Sequence, residues 1–214
     1  MNRMFDPDSW FMQLLGRFSN LVILNFLFLF TCIPIFTIGA SLTALYDVVL
    51  RMDTERETPT VSTYFRSFRA NFRQSTQVFL IMAPLIAVSC VNLAISSRIS
   101  GLPGQALFVV SILILVHSIF VWSYAFPLIS QFENTTGNTL KNALLLSIAH
   151  LPRSLIMAVI NCFPWMLMIM NLYAFIRFGF LWFVLYFAAA AYLDSRVLMK
   201  VLDPLREKES SAKS

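Results

Sequence analysis

The sequence predicts an all-α membrane protein, a polytopic helical bundle of six transmembrane helices in one domain. Three observations predict it. The chain has 214 residues, 58% hydrophobic and only 13% charged, with mean hydropathy +0.72. A soluble domain carries about 25% charged residues, so soluble globular, disordered and disulfide-scaffold classes are excluded. The apolar residues also fall into runs close to the ~20 residues that a bilayer core of ~30 Å requires. Finally, Lys and Arg gather on alternate connections between those runs.

The runs are 18–33, 35–52, 76–96, 106–128, 155–172 and 178–196. Pro34 divides the first two, because the residue before a proline is pushed out of helical geometry. Arg98 to Gly104 divides the third and fourth, and Asn171 to Arg177 the fifth and sixth. These breaks are short, so the runs pair as three antiparallel hairpins. The second run contains Asp47 and is the weakest, which leaves five spans as the alternative. Six spans with the N-terminus inside put 14 Lys and Arg on the inner side and two, Arg98 and Arg177, outside. Five spans give 12 against four. The positive-inside rule therefore favours six, with both termini cytoplasmic. Residues 1–201 form the integral domain. Residues 202–214, charged and serine-rich, read as a disordered cytoplasmic tail. The aromatic, acidic start Phe5 to Trp10 does not resemble a cleavable signal peptide.

Each hairpin is preceded by an amphipathic stretch, so three interfacial helices are expected. The first starts at Asp8-Ser9, with Trp10, Phe11, Leu14, Leu15 and Phe18 on one face. The second starts at Thr60 or Thr63. The third starts near Asn138-Thr139 and carries Leu140, Leu144, Ile148 and Leu151. Together they suggest a threefold internal repeat of interfacial helix, span, span; chance recurrence of ordinary surface helices is the alternative. The second stretch is the most distinctive. Arg66, Arg69 and Arg73 share one side, and Phe65, Phe68 and Phe72 an adjacent one. Such a helix suits lipid phosphates with its arginines and hydrocarbon with its rings, or docks a cytoplasmic partner.

An ionisable side chain in hydrocarbon should face protein or water. His117, at mid-depth of the fourth run, and Asp47 are the candidates, with Asn25, Asn92 and Asn161 as further intramembrane polar groups. His117 reads either as a proton relay or substrate contact, or as a histidine bonded to a neighbouring helix. Asp47 can pair with Arg51 at i, i+4. Cys32, Cys90 and Cys162 lie in apolar runs without metal-ligand spacing, and no nucleophile–base or phosphate-binding motif occurs. No metal, cofactor or enzymatic activity is expected. The charge of +5 is what inward loops require, and nucleic acid is not an expected partner.

The stretch Ile33-Pro-Ile-Phe-Thr-Ile-Gly-Ala-Ser-Leu-Thr-Ala-Leu-Tyr46 resembles the YesL-like family of bacterial multi-pass membrane proteins, a domain of unknown function. Gly16-Arg17, Asn20-Leu21, Tyr64 to Phe68, Asn71 to Gln74 and Leu140 to Leu144 extend the resemblance over most of the chain. It implies a plasma-membrane location and a genomic setting beside sugar-uptake ABC transporters. It supplies no catalytic residue. Within the stretch, Pro34 breaks the chain, and Gly39, Ala40, Ser41 and Ala44 make a small-residue face that lets a helix approach closely. Two functions are expected. The first is a non-enzymatic accessory or regulatory component of carbohydrate uptake, docked on an ABC sugar permease in the bilayer. The alternative is a small-molecule transporter or channel in its own right. The sequence sets no oligomeric state.

Overall fold

The protein is represented by a computed structural model that describes residues 10–52 and 59–213. Among these, every regular element is helical: α1 (Trp10–Thr31), α2 (Ile38–Met52), α3 (Thr60–Ser96), α4 (Leu102–Gln131), α5 (Thr136–Ala149), α6 (Leu151–Met170), α7 (Leu172–Arg177), α8 (Gly179–Leu181) and α9 (Phe187–Lys213). A short 3-10 turn, Ile35–Thr37, leads into α2, and a π-helical segment, Trp182–Tyr186, leads into α9. Six helical stretches are long and apolar enough to cross a membrane: Phe11–Thr31, Ile35–Met52, Thr60–Ser96, Leu102–Gln131, Leu151–Met170 and Gly179–Leu205. The expected all-α class with six candidate spans holds.

Two of the three expected interfacial helices are not separate elements. The first stretch runs unbroken into α1, although its cap at Asp8-Ser9 lies outside the described residues. The second is the first part of α3, a single helix of 37 residues. Nothing between Thr60 and Gln77 interrupts it; its one proline is Pro84. The third is a helix of its own, because His150 leaves helical geometry (φ −122°, ψ 44°) ahead of Pro152 at the start of α6. It begins at Thr136, two residues before the expected start, because the side chain of Thr135 caps the Asn138 N–H. In α5, Thr139, Ala143 and Ser147 face the protein, while Leu144, Leu145 and Ile148 are exposed.

The order of amphipathic stretch, span and span recurs three times, but the hairpins do not pack alike. α3 pairs closely with α4, whereas α2 packs mainly on α3, α4 and α9 and little on α1. Two-thirds of the α2 span window (67%) is buried, against 17–33% for the other five windows, so α2 is the central helix. Gly39 permits this. A Cβ there would run into the Ser75 carbonyl oxygen and stand 2.8 Å from the Phe79 Cβ. The small face expected around Gly39, Ala40, Ser41 and Ala44 is buried throughout.

The turn at Pro34 carries apolar side chains, and Thr37 takes up its loose carbonyls. Thr37 Oγ1 lies within hydrogen-bond distance of the Thr31 and Pro34 carbonyls, and the Thr37 N–H donates to that of Pro34. This is how backbone outside a helix is kept satisfied in an apolar setting. The connection expected at Asn171 to Arg177 is itself mostly helical, as α7. The tail is a correction: residues expected to be disordered continue α9 to Lys213. Glu, Lys, Arg and Ala are good helix formers, and a helix already nucleated upstream propagates through them.

Candidate functional site

A cavity of about 430 Å³ lies between α1, α2, α6 and the start of α9. α2 contributes Leu42, Leu45 and Tyr46; α6 contributes Asn161, Pro164 and Trp165; Trp182, Tyr186 and Phe187 come from the π segment and α9. Trp122 reaches in from α4, so three of the four tryptophans line it. The walls are mainly aromatic and aliphatic.

Directly behind two of the lining residues is a buried carboxylate. Tyr46 Oη donates to Asp194 Oδ2 at 2.8 Å, and Asn161 Nδ2 donates to the same oxygen at 2.6 Å. Asp194 is fully buried, and its other oxygen, Oδ1, has no hydrogen-bond partner. Both partners of Oδ2 are neutral. Asn161 also donates to the Met157 carbonyl. The run Ala188-Ala-Ala-Ala191 just before Asp194 lets α9 lie against α2, which brings the carboxyl to Tyr46.

Two local devices hold the wall in place. The first is the π segment, where the widened turn frees backbone groups. Asn25 of α1 takes them: its Nδ2 donates to the Phe183 carbonyl at 2.6 Å, and its Oδ1 accepts from the Ala188 N–H at 3.1 Å. The second device follows from Pro164, which has no N–H to offer the Ile160 carbonyl one turn back. The Tyr186 hydroxyl donates to that carbonyl instead.

The sequence candidates separate sharply against this geometry. Asn161 lines the cavity, and Asn25 braces its wall. Asn92 is half-buried on α3, away from the cavity. His117 is exposed on α4, and its Nδ1 meets only the Leu113 carbonyl of its own helix, at 2.9 Å. It does not contribute to the cavity, to which α4 supplies Trp122, and the buried polar residues of α4 include Ser111, Ser118 and Ser123 instead. Asp47 is buried and paired with Arg51 at 2.9 Å, the plain i, i+4 ion pair.

On α3, Arg66, Arg69 and Arg73 are exposed and have no ion pair among the described residues. The adjacent ring face is turned into the protein more than toward surrounding lipid. Tyr64 is fully buried, its Oη 2.6 Å from Thr31 Oγ1, while Phe65, Phe68 and Phe72 are half-buried beside it.

The residue that sequence reasoning missed is Asp194. It stands two positions before Arg196 at the expected end of the sixth span, where an acid is ordinary. The alanine run before it was the available signal for close packing.

Residues 21–93 match a family described as a protein of unknown function, DUF624. No curated protein and no solved structure matches the chain.

Proposed function

We propose that the chain is a non-enzymatic accessory or regulatory protein of a bacterial plasma-membrane carbohydrate-uptake system. In this reading it docks on an ABC sugar permease through the arginine face of α3, with both termini in the cytoplasm. The observation that carries it is the row Arg66, Arg69 and Arg73, exposed and without acidic partners among the described residues, on a helix whose other side is anchored by Tyr64. A long helix that offers a row of exposed guanidinium groups suits acidic side chains on a partner. Six apolar helices support the membrane setting, and the DUF624 match over residues 21–93 is consistent with the YesL-like resemblance that suggests the sugar-transport context.

The test is purification of tagged protein from its host in mild detergent, with mass spectrometry of what accompanies it. A sugar permease in stoichiometric amount is expected, and it should be lost when Arg66, Arg69 and Arg73 are changed together to Ala. A permease that stays bound to the triple variant, or is never recovered, overturns the reading. The second reading, a transporter in its own right, is favoured by the cavity beside Asp194. It requires flux in vesicles that contain this protein alone, with loss in Asp194→Asn rather than in His117→Ala.

A further inference from the structure

The geometry points to the cavity as a binding site for a lipophilic organic cation, seated among the aromatic rings over the Tyr46–Asp194–Asn161 cluster. Three features combine to give this. The cavity, at about 430 Å³, has the size of a small-molecule site and predominantly apolar walls. Trp122, Trp165, Trp182, Tyr46 and Tyr186 line it, and aromatic rings attract cations and favour quaternary or aromatic ones. The only acid in the cluster is Asp194, fully buried, with one oxygen unpartnered and the other held by neutral donors.

A buried carboxylate is costly unless a counter-charge compensates it. Among the described residues none forms an ion pair with Asp194, in contrast to Asp47, which has Arg51. The Tyr46 hydroxyl and Asn161 amide nitrogen already point their hydrogens at Asp194, so they cannot turn them against a cation in the cavity. Asn161 itself lines the cavity, and both hydrogen bonds of its side chain are made through Nδ2. An anion in the cavity would lie against the charge of Asp194, and a sugar would find few polar side chains in a mainly aromatic and aliphatic lining. The inference concerns binding alone, so it stands whether the chain works as an accessory or as a transporter.

The test is equilibrium dialysis of the full chain in nanodiscs against tetraphenylphosphonium and tetraphenylborate, two ions of like shape and opposite charge. Binding to empty nanodiscs is subtracted from each. The protein is expected to bind the cation and not the anion. Asp194→Asn should weaken the cation by about tenfold, because a carboxylate set behind the wall acts on the cation through space and not by direct pairing. Trp165→Leu should weaken it by about threefold, as for a partly exposed cation–π contact; Trp165 is 61% exposed, so this change leaves the packing intact. If Asp194→Asn does not give a monodisperse protein, the comparison of the two ions and Trp165→Leu decide. Equal binding of both ions would mean an apolar cavity only. That result, no binding to folded protein, or an unchanged affinity in a well-folded Asp194→Asn overturns the inference.

Discussion

The hub around α2 and the outer half of the α3–α4 arm are packed in opposite ways, and the less apolar of the two is the more deeply buried: mean hydropathy is 1.4 over the α2 span and 2.5 and 2.4 over those of α3 and α4. In α2, every residue from Thr43 to Leu50 is buried. In the arm, Leu85, Val88, Val91, Val109, Val110 and Leu113 are all exposed. A bilayer would solvate the exposed face of the arm, so there its helices need only be apolar and long. Nothing solvates α2, so it needs shape: Gly39 under the Ser75 carbonyl, Thr43 Oγ1 2.7 Å from Ser75 Oγ, Tyr46 on Asp194. The difference teaches that hydropathy locates both regions but residue-level constraint is concentrated in one. A hub substitution should cost what a soluble core substitution costs; a substitution on the exposed face of the arm should cost almost nothing, whereas its inward residues, such as Tyr64, Phe79 and Phe126, belong to the hub.

That contrast can be broken at four points. Gly39→Val should have the largest effect, a loss of about 3 kcal/mol or failure to assemble, since overpacking against backbone cannot relax. Thermal unfolding in detergent measures it, and a near-native midpoint would mean that α2 can move off α3. Asn25→Leu comes next, at about 1–2 kcal/mol, because the Phe183 carbonyl and Ala188 N–H lose their partner. Amide exchange should quicken at Ala188 in the same variant. Thr43→Val should cost about 0.6 kcal/mol, the average for a hydrogen bond between membrane helices, by the same unfolding assay. His117→Ala should be smallest, within about 0.5 kcal/mol. If it destabilises as much as Asn25→Leu, the arm is not the passive surface described above.

The fold class, the hairpin breaks and the six helices were legible because hydrocarbon imposes one simple demand, a long apolar run, on every span. Gly39 was legible as a close-approach residue for the same reason that small residues mark membrane interfaces. The site was only half legible. Asn25 and Asn161 stood out as polar points in apolar runs, but an asparagine does not announce whether it braces a backbone or lines a cavity. Asp194 was hidden by its position near the expected end of the sixth span, two residues before the exposed Arg196, where an acid is ordinary. His117 was the reverse case. Its isolation in Val109 to Phe120 marked it, yet on the helix it falls on the outward side. The continuity of α3 was missed because a change of amphipathic character was read as a change of element, while backbone geometry ends only where a residue forces it to end.

The π-helical segment also has a consequence for how the chain can be altered. One turn that holds an extra residue shifts the angular count of everything on its far side by about 100°. Trp182 and Asp194 can therefore serve the same cavity only while that extra residue is retained. Deleting one position between Trp182 and Tyr186 would restore a regular helix and at the same time rotate the tryptophan wall away from the carboxylate. The segment thus works as a phase adjustment, and Asn25 is the clamp that keeps it from being ironed out.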